Sequence, residues 1–414
     1  MQAQLTLANG LRKSTNCVPE FAMLTACSRT RLDGNAHTDI QRLSKISSFN
    51  WSLFITAVKY HRTTPLAYKH LKEVIAEPSD NLKRVNDELR HLFIDHARRA
   101  ADLTDELVSL LDIFDSHQII VIPFKGPLIA ERFYGDIALR EYCDIDLLID
   151  PKDAVKVVQI LRSHGYSPCE WRNTKLDENF FASELLTKLS DGYTFQSDSK
   201  QIYVDLHWKI MPQKFFCIEP REVLRITDSW QFQGRSIESF NVETLLAILC
   251  AHGTKHGWQQ LGWATDIAEI VQSEKVDWKA LLATSRRAGV EQMVLLGLYL
   301  TTFLPGSNLP TDISARISAA PKAVAVGDEI MHRFCTNPLA DPWSELEAWK
   351  YFLALKQRWS EKFALLIELA TKPTIDEWCL FPLPTKMLFL YRVVRPISLL
   401  AQHGPRLALR ALRK

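Results

Sequence analysis

The chain has 414 residues, 47% hydrophobic and 24% charged, with a formal net charge of +2. That composition excludes disordered, collagen-like and disulfide-scaffold classes, and the near-balance of charge gives no general attraction for nucleic acid. At roughly 150 residues per domain, two or three domains are expected.

The eight cysteines are scattered without a CxxC pair or a zinc-type ladder, so reduced structural thiols are expected. The first 35 residues carry Arg12, Lys13, Arg29 and Arg31 but no apolar segment leading to a cleavage site. No run of about 18 apolar residues occurs either, and a cytoplasmic location is the expectation.

Residues 1–38 lack a sustained period and read as a loosely ordered leader. From Trp51 to about Gln118 the pattern is helical: Val85, Leu89, Leu92, Phe93, His96, Ala100, Leu103, Leu107, Leu110, Leu111 and Phe114 recur at steps of three and four and predict one long amphipathic helix. The period changes at 119–122, a β-branched run ending at Pro123, and again over 142–149; both predict strands. Asp150-Pro151-Lys152-Asp153 offers an N-cap, a proline at the first helical position and an acid behind it, and Gly165 closes that helix. Residues 201–208 predict a further strand, and 241–272 return to helical spacing.

The expected organisation is α+β: an N-terminal helical region over 39–118, a small sheet with flanking helices over 119–235, and a helical domain over 236–303. A proline-rich connector over 304–321 then precedes a C-terminal helical region over 322–414. The end of the chain is basic, with no acid after Glu377.

The most informative segment is Asp144-Ile145-Asp146. On a strand the two carboxylates project to one side while Ile145 and Leu147 face the other. Like charges so close are costly unless a cation offsets them, and oxygen ligands favour Mg²⁺ or Mn²⁺ over zinc. Asp205 supplies a third carboxylate if its strand lies beside the first, an arrangement suited to displacement at phosphorus. The Lys125-Gly126 turn offers an ammonium and backbone N–H groups to phosphate oxygens, and Arg140 lies near the same carboxylates in sequence. His207 and Trp208 read as core packing.

These segments together, Lys125-Gly126, Leu139-Arg140-Glu141-Tyr142-Cys143-Asp144-Ile145-Asp146-Leu147-Leu148, His164-Gly165-Tyr166 and Val204-Asp205-Leu206-His207-Trp208, resemble the bacterial "uncharacterised nucleotidyltransferase" family. That family belongs to the polymerase-β-like nucleotidyltransferase superfamily, and the resemblance runs from about residue 51 to the C-terminus. It implies a polymerase-β-like core in which Asp144, Asp146 and Asp205 are the catalytic, metal-binding carboxylates. It also implies an NTP co-substrate and transfer of its NMP group to an acceptor hydroxyl, on a small molecule or a protein, with release of pyrophosphate. By the same resemblance Lys255 and His256, in the helical region after the sheet, are nucleotide contacts beside Lys125, Gly126 and Arg140. One departure stands out: Lys125-Gly126-Pro127 replaces the usual Gly-Ser turn, so a serine contact to the terminal phosphates is missing and Lys125 is its expected substitute.

Two other classes stay open. The missing serine suits an inactive binding or scaffold protein in a biosynthetic or membrane-associated assembly. His252 and His256, four apart, have a spacing that zinc accepts, although no HExxH pattern accompanies them, and structural histidines are favoured. Asp266 reads as structural. In the tail, apolar residues from Met387 to Leu400 interleaved with Arg392 and Arg395 suit either a helix docked on the protein's own body, the favoured reading, or weak contact with an anionic membrane surface, peripheral to its inner face.

Overall fold

The computed structural model describes residues 17–212, 215–340, 345–356 and 358–399. Contacts divide the chain into two units, one of residues 1–110, 124–143 and 226–356, the other of 111–123, 144–225 and 357–414.

The first unit is mainly helical. The expected leader contains a helix, Pro19–Cys27, in which Phe21, Met23, Leu24 and Cys27 are wholly buried. Its apolar residues lie on every side, so no amphipathic period marks it in the sequence. Residues 1–16 lie outside the described residues. Just after this helix, the buried Arg29 guanidinium donates to Glu269 at 2.6 Å and to the Pro305 and Ala268 carbonyls. A buried charge with a carboxylate and two carbonyl acceptors is fully compensated, and it ties the start of the chain to the helix Leu261–Ser273.

The core of this unit is a group of helices including Val242–Lys255, Leu261–Ser273, Glu291–Thr301 and Pro321–Thr336. Asn241 caps the first by accepting from the Thr244 N–H at 2.9 Å. Close approach depends on Gly297, where a Cβ would stand 2.5 Å from Cys250 Sγ. The expected connector over 304–321 contains a packed helix, Thr311–Ser318, with Ile313 and Ile317 buried, and its residues stay within this unit. A hairpin of β6 (Thr227–Phe232) and β7 (Arg235–Phe240) turns through Gln233 and Gly234 at φ 49° and 74°. Two positive φ values match the twist of paired strands. Trp230 on this hairpin receives the Phe133 ring edge-on and the Arg132 guanidinium at 3.8 Å.

The second unit is built on a five-stranded mixed sheet in the order β1-β2-β5-β4-β3. The strands are β1 (Val121–Pro123), β2 (Asp144–Ile149), β3 (Tyr166–Pro168), β4 (Gly192–Ser197) and β5 (Tyr203–His207). The β2–β5 pair is parallel and the other neighbours are antiparallel. One face is apolar: Ile145, Leu147, Ile149, Tyr193, Phe195, Val204 and Leu206 are all buried. By the two-residue period of strands, the other face carries Asp144, Asp146, Thr194, Asp205 and His207. Between β2 and β3 runs the helix Ala154–Ser163, introduced by Asp150, whose carboxylate accepts from the Lys152 N–H at 2.9 Å.

Candidate metal centre

On the polar face of the sheet, Asp146 stands directly opposite Asp205 in the parallel register of β2 and β5. Asp146 is only 7% exposed. Two facing carboxylates, one buried and one half-buried, call for compensation by a cation or by hydrogen-bond donors. Two neighbouring side chains order the pair. Thr194 on β4, opposite Asp205, donates its hydroxyl to Asp205 Oδ1 at 2.6 Å. His207, two residues beyond Asp205 on the same face, brings Nε2 to 3.1 Å from Asp146 Oδ1. Gly192 pairs with His207 across β4 and β5, and a Cβ there would stand 2.7 Å from the Leu206 carbonyl and 3.1 Å from His207 Nδ1. The missing side chain is what gives the imidazole its place.

One ligand atom from each of Asp146, Asp205 and His207 lies within 4.8 Å of the other two. Two carboxylate oxygens and an imidazole nitrogen are a chemically suitable donor set for a divalent ion. The nitrogen shifts preference from Mg²⁺ toward Mn²⁺ and other transition ions. Asp144 occupies the same face two residues earlier, opposite Tyr203, and is not one of the three clustered ligands. His207 is thus the residue missed by sequence reasoning, although Asp205-x-His207 has the same two-residue step as Asp144-x-Asp146.

The other expected site residues belong to the first unit. Lys125 lies with its ammonium 5.2 Å from the Phe124 ring centre, and Gly126 takes φ +54° and ψ −128° before the short helix Pro127–Ile129. That backbone conformation is open to glycine and strained for other residues. The His256 ring lies 4.6 Å from that of His252, tilted by 51°, with Trp263 against both rings. Burial, with the ammonium groups of Lys255 and Lys125, pushes His256 down to about 4. Lys125, Lys255 and His256 therefore share one electrostatic neighbourhood, in which the imidazole is neutral at ordinary pH.

Arg140 is engaged differently. Its Nε and Nη2 donate to the two oxygens of Asp266 at 2.7 and 2.9 Å, and the Tyr134 hydroxyl donates to the same carboxylate at 2.7 Å. Burial works against the guanidinium's charge, but Asp266 outweighs it and holds Arg140 protonated. The segment around Arg140 is held from the long helix Asp80–Ser116: His96 Nε2 meets the Arg140 carbonyl at 2.8 Å and Arg99 donates to the Cys143 carbonyl at 3.2 Å. Next to Arg140, burial pushes Glu141 up to about 7, even though the Thr64 N–H, Arg62 and Lys59 favour its charged form. A cleft of about 30 Å³, lined by Arg62, Arg140, Glu141, Trp263 and Asp266, has room for water.

A family profile described as "Uncharacterised nucleotidyltransferase" matches residues 47–304, more than half of the chain. The chain is also 28% identical, over 108 residues, to the gamma-glutamyl phosphate reductase of Psychrobacter arcticus, a match covering 24% of each protein. It thus spans about a quarter of the length of that curated relative. The chain belongs to the uncharacterised nucleotidyltransferase family.

Proposed function

We propose that this chain transfers an NMP group from a metal-bound NTP to an acceptor hydroxyl, releasing pyrophosphate, and that its sheet unit is a polymerase-β-like core. The observation that carries the reading is the facing pair Asp146 and Asp205 with His207 beside them, in a chain of this family. Asp146, Asp205 and His207 would hold Mg²⁺ or Mn²⁺, with Asp144 extending the acidic row. Bound there, one such ion, or two, would supply charge neutralisation for the triphosphate and the leaving pyrophosphate.

Thr194 fixes one oxygen of Asp205 and so leaves the other for an ion or for the acceptor's proton. In the transfer, the acceptor oxygen bonds to the α-phosphorus, the bond from that phosphorus to the pyrophosphate oxygen breaks, and the hydroxyl proton passes to Asp205. On the family resemblance alone, Lys125 and Gly126 and, at second rank, Arg140, Lys255 and His256 are assigned to phosphate oxygens; the Arg140 guanidinium is held by Asp266. Most of the rate enhancement then comes from positioning and charge neutralisation.

A second reading, an inactive scaffold of the same fold, is favoured by the turn, which carries Lys125-Gly126-Pro127 and no serine. The two separate on turnover. Incubation with each NTP, Mg²⁺ or Mn²⁺ and a cell extract, read by pyrophosphate release and by mass spectrometry for an added NMP, gives product with the native chain and none with Asp205→Asn if the enzyme reading holds. Metal-dependent NTP binding without product supports the scaffold.

A further inference from the structure

The C-terminal segment of the second unit is anchored by one set of side chains and uncovered on another. The anchors are specific. Trp171 donates its indole N–H to Asp376 at 2.7 Å, Trp378 packs on Phe180, Lys372 pairs with Asp191 at 2.7 Å, and Arg395 pairs with Glu377 at 2.8 Å. Tyr391, four residues before Arg395, is wholly buried.

The uncovered set is apolar and regular. On the helix Trp359–Thr371, Trp359, Phe363, Leu366 and Ile367 follow helical spacing and are 76%, 62%, 47% and 59% exposed. Phe389, Val393 and Ile397 repeat the pattern at steps of four, each more than 60% exposed. Rows of this kind exceed the scattered apolar residues normal to a surface and mark a contact.

Charge identifies the occupant. From residue 378 to 414 the sequence holds no Asp or Glu and, besides Arg395, which Glu377 neutralises, six cations (Lys386, Arg392, Arg406, Arg410, Arg413, Lys414). Two copies meeting through this segment alone would set these cations against their own kind. An anionic lipid surface offers negative headgroups with an apolar layer beneath them, and a tryptophan at one end of the row suits the boundary between the two. Among the described residues no helix is long and apolar enough to cross a membrane, so the contact lies along the surface.

We propose that the exposed row Trp359, Phe363, Leu366 and Ile367, together with Phe389, Val393 and Ile397, docks on an anionic lipid surface with the acid-free C-terminal segment supplying the attraction. This goes beyond the transferase reading and stands without it.

The test is flotation of the full chain with phosphatidylglycerol vesicles and, separately, phosphatidylcholine vesicles. The expected result is binding to phosphatidylglycerol stronger by roughly tenfold or more, weakened by added salt, as several cations acting with apolar insertion require. Trp359→Ser with Phe363→Ser, both exposed and therefore neutral to folding by thermal midpoint, should lose most of that binding. Arg392→Gln, also exposed, should reduce it on phosphatidylglycerol alone. Equal partition into both lipids, no binding, or binding unchanged in the double variant overturns the proposal. So does a concentration-dependent dimer that the double variant abolishes without any vesicle binding, which would assign the face to a second copy.

Discussion

His207 Nε2 lies 3.1 Å from Asp146 Oδ1, across a parallel strand pair whose register also sets Asp146 opposite Asp205. An imidazole among carboxylates changes which ions the centre prefers. His207→Gln should lower Mn²⁺ affinity by about tenfold while changing Mg²⁺ affinity less, since oxygen donors suffice for Mg²⁺. Titration calorimetry with each ion measures both, and an equal loss for the two ions would show that the imidazole is not a ligand.

Thr194 acts one step further out. Its hydroxyl orients Asp205, and Thr194→Val keeps the volume while removing the 2.6 Å hydrogen bond. Metal affinity should fall about 10–100-fold, the range for losing a partner of a ligand, with stability changed by only about 1 kcal/mol. Unchanged affinity would leave Asp205 without a need for this support.

The Arg140–Asp266 pair is a buried ion pair, and breaking it strands a charge. Arg140→Met should cost roughly 3–5 kcal/mol in urea unfolding, and Arg140→Met with Asp266→Leu should recover much of that loss. A single variant as stable as the native chain would mean that the pair is dispensable to the fold.

Glu141 gives a pH signature. Its folded value, about 7, is above its ordinary 4.5, because burial favours the protonated form. Between those two values the folded state holds a proton that the unfolded state has released, so stability falls as pH rises through that window. Thermal midpoints against pH should show this slope in the native chain and a flatter one in Glu141→Gln. Parallel curves would contradict it.

The buried histidines act in the opposite sense. Leu261 N–H donates to His61 Nδ1, so Nε2 carries the proton shared with the Pro338 carbonyl at 2.9 Å, and burial pushes this ring down to about 4. His256 is pushed to about 4 as well. Their contribution to stability is complete above about pH 6.5 and is lost as pH falls through about 4, where the unfolded chain takes up protons first. Imidazole NMR titrations should find both rings neutral at pH 5, and a midpoint near 6.5 for either would contradict the packing described.

What the sequence made legible follows from periodicity. Asp144 and Asp146 were readable because two acids at a two-residue step interrupt an apolar strand, and the long helix was readable from its steps of three and four. His207 shares the strand step with Asp205, but one imidazole next to a tryptophan looks like core until the partner strand is known. The Pro19–Cys27 helix is buried all round, and so shows no amphipathic period. Strand β4 was missed because its half-exposed Gly192, Thr194 and Gln196 resemble a loop. The bond between Arg140 and Asp266 joins residues 126 apart in the chain, a separation that no local pattern encodes.

The most direct measurement is NTP binding by calorimetry, with Mg²⁺ or Mn²⁺ and with the metal chelated, on the native chain and on Asp146→Asn. The account predicts heat of binding that needs the metal and that disappears in the variant, while the variant keeps the native thermal midpoint. Binding that persists without metal, or that Asp146→Asn leaves unchanged, would contradict it.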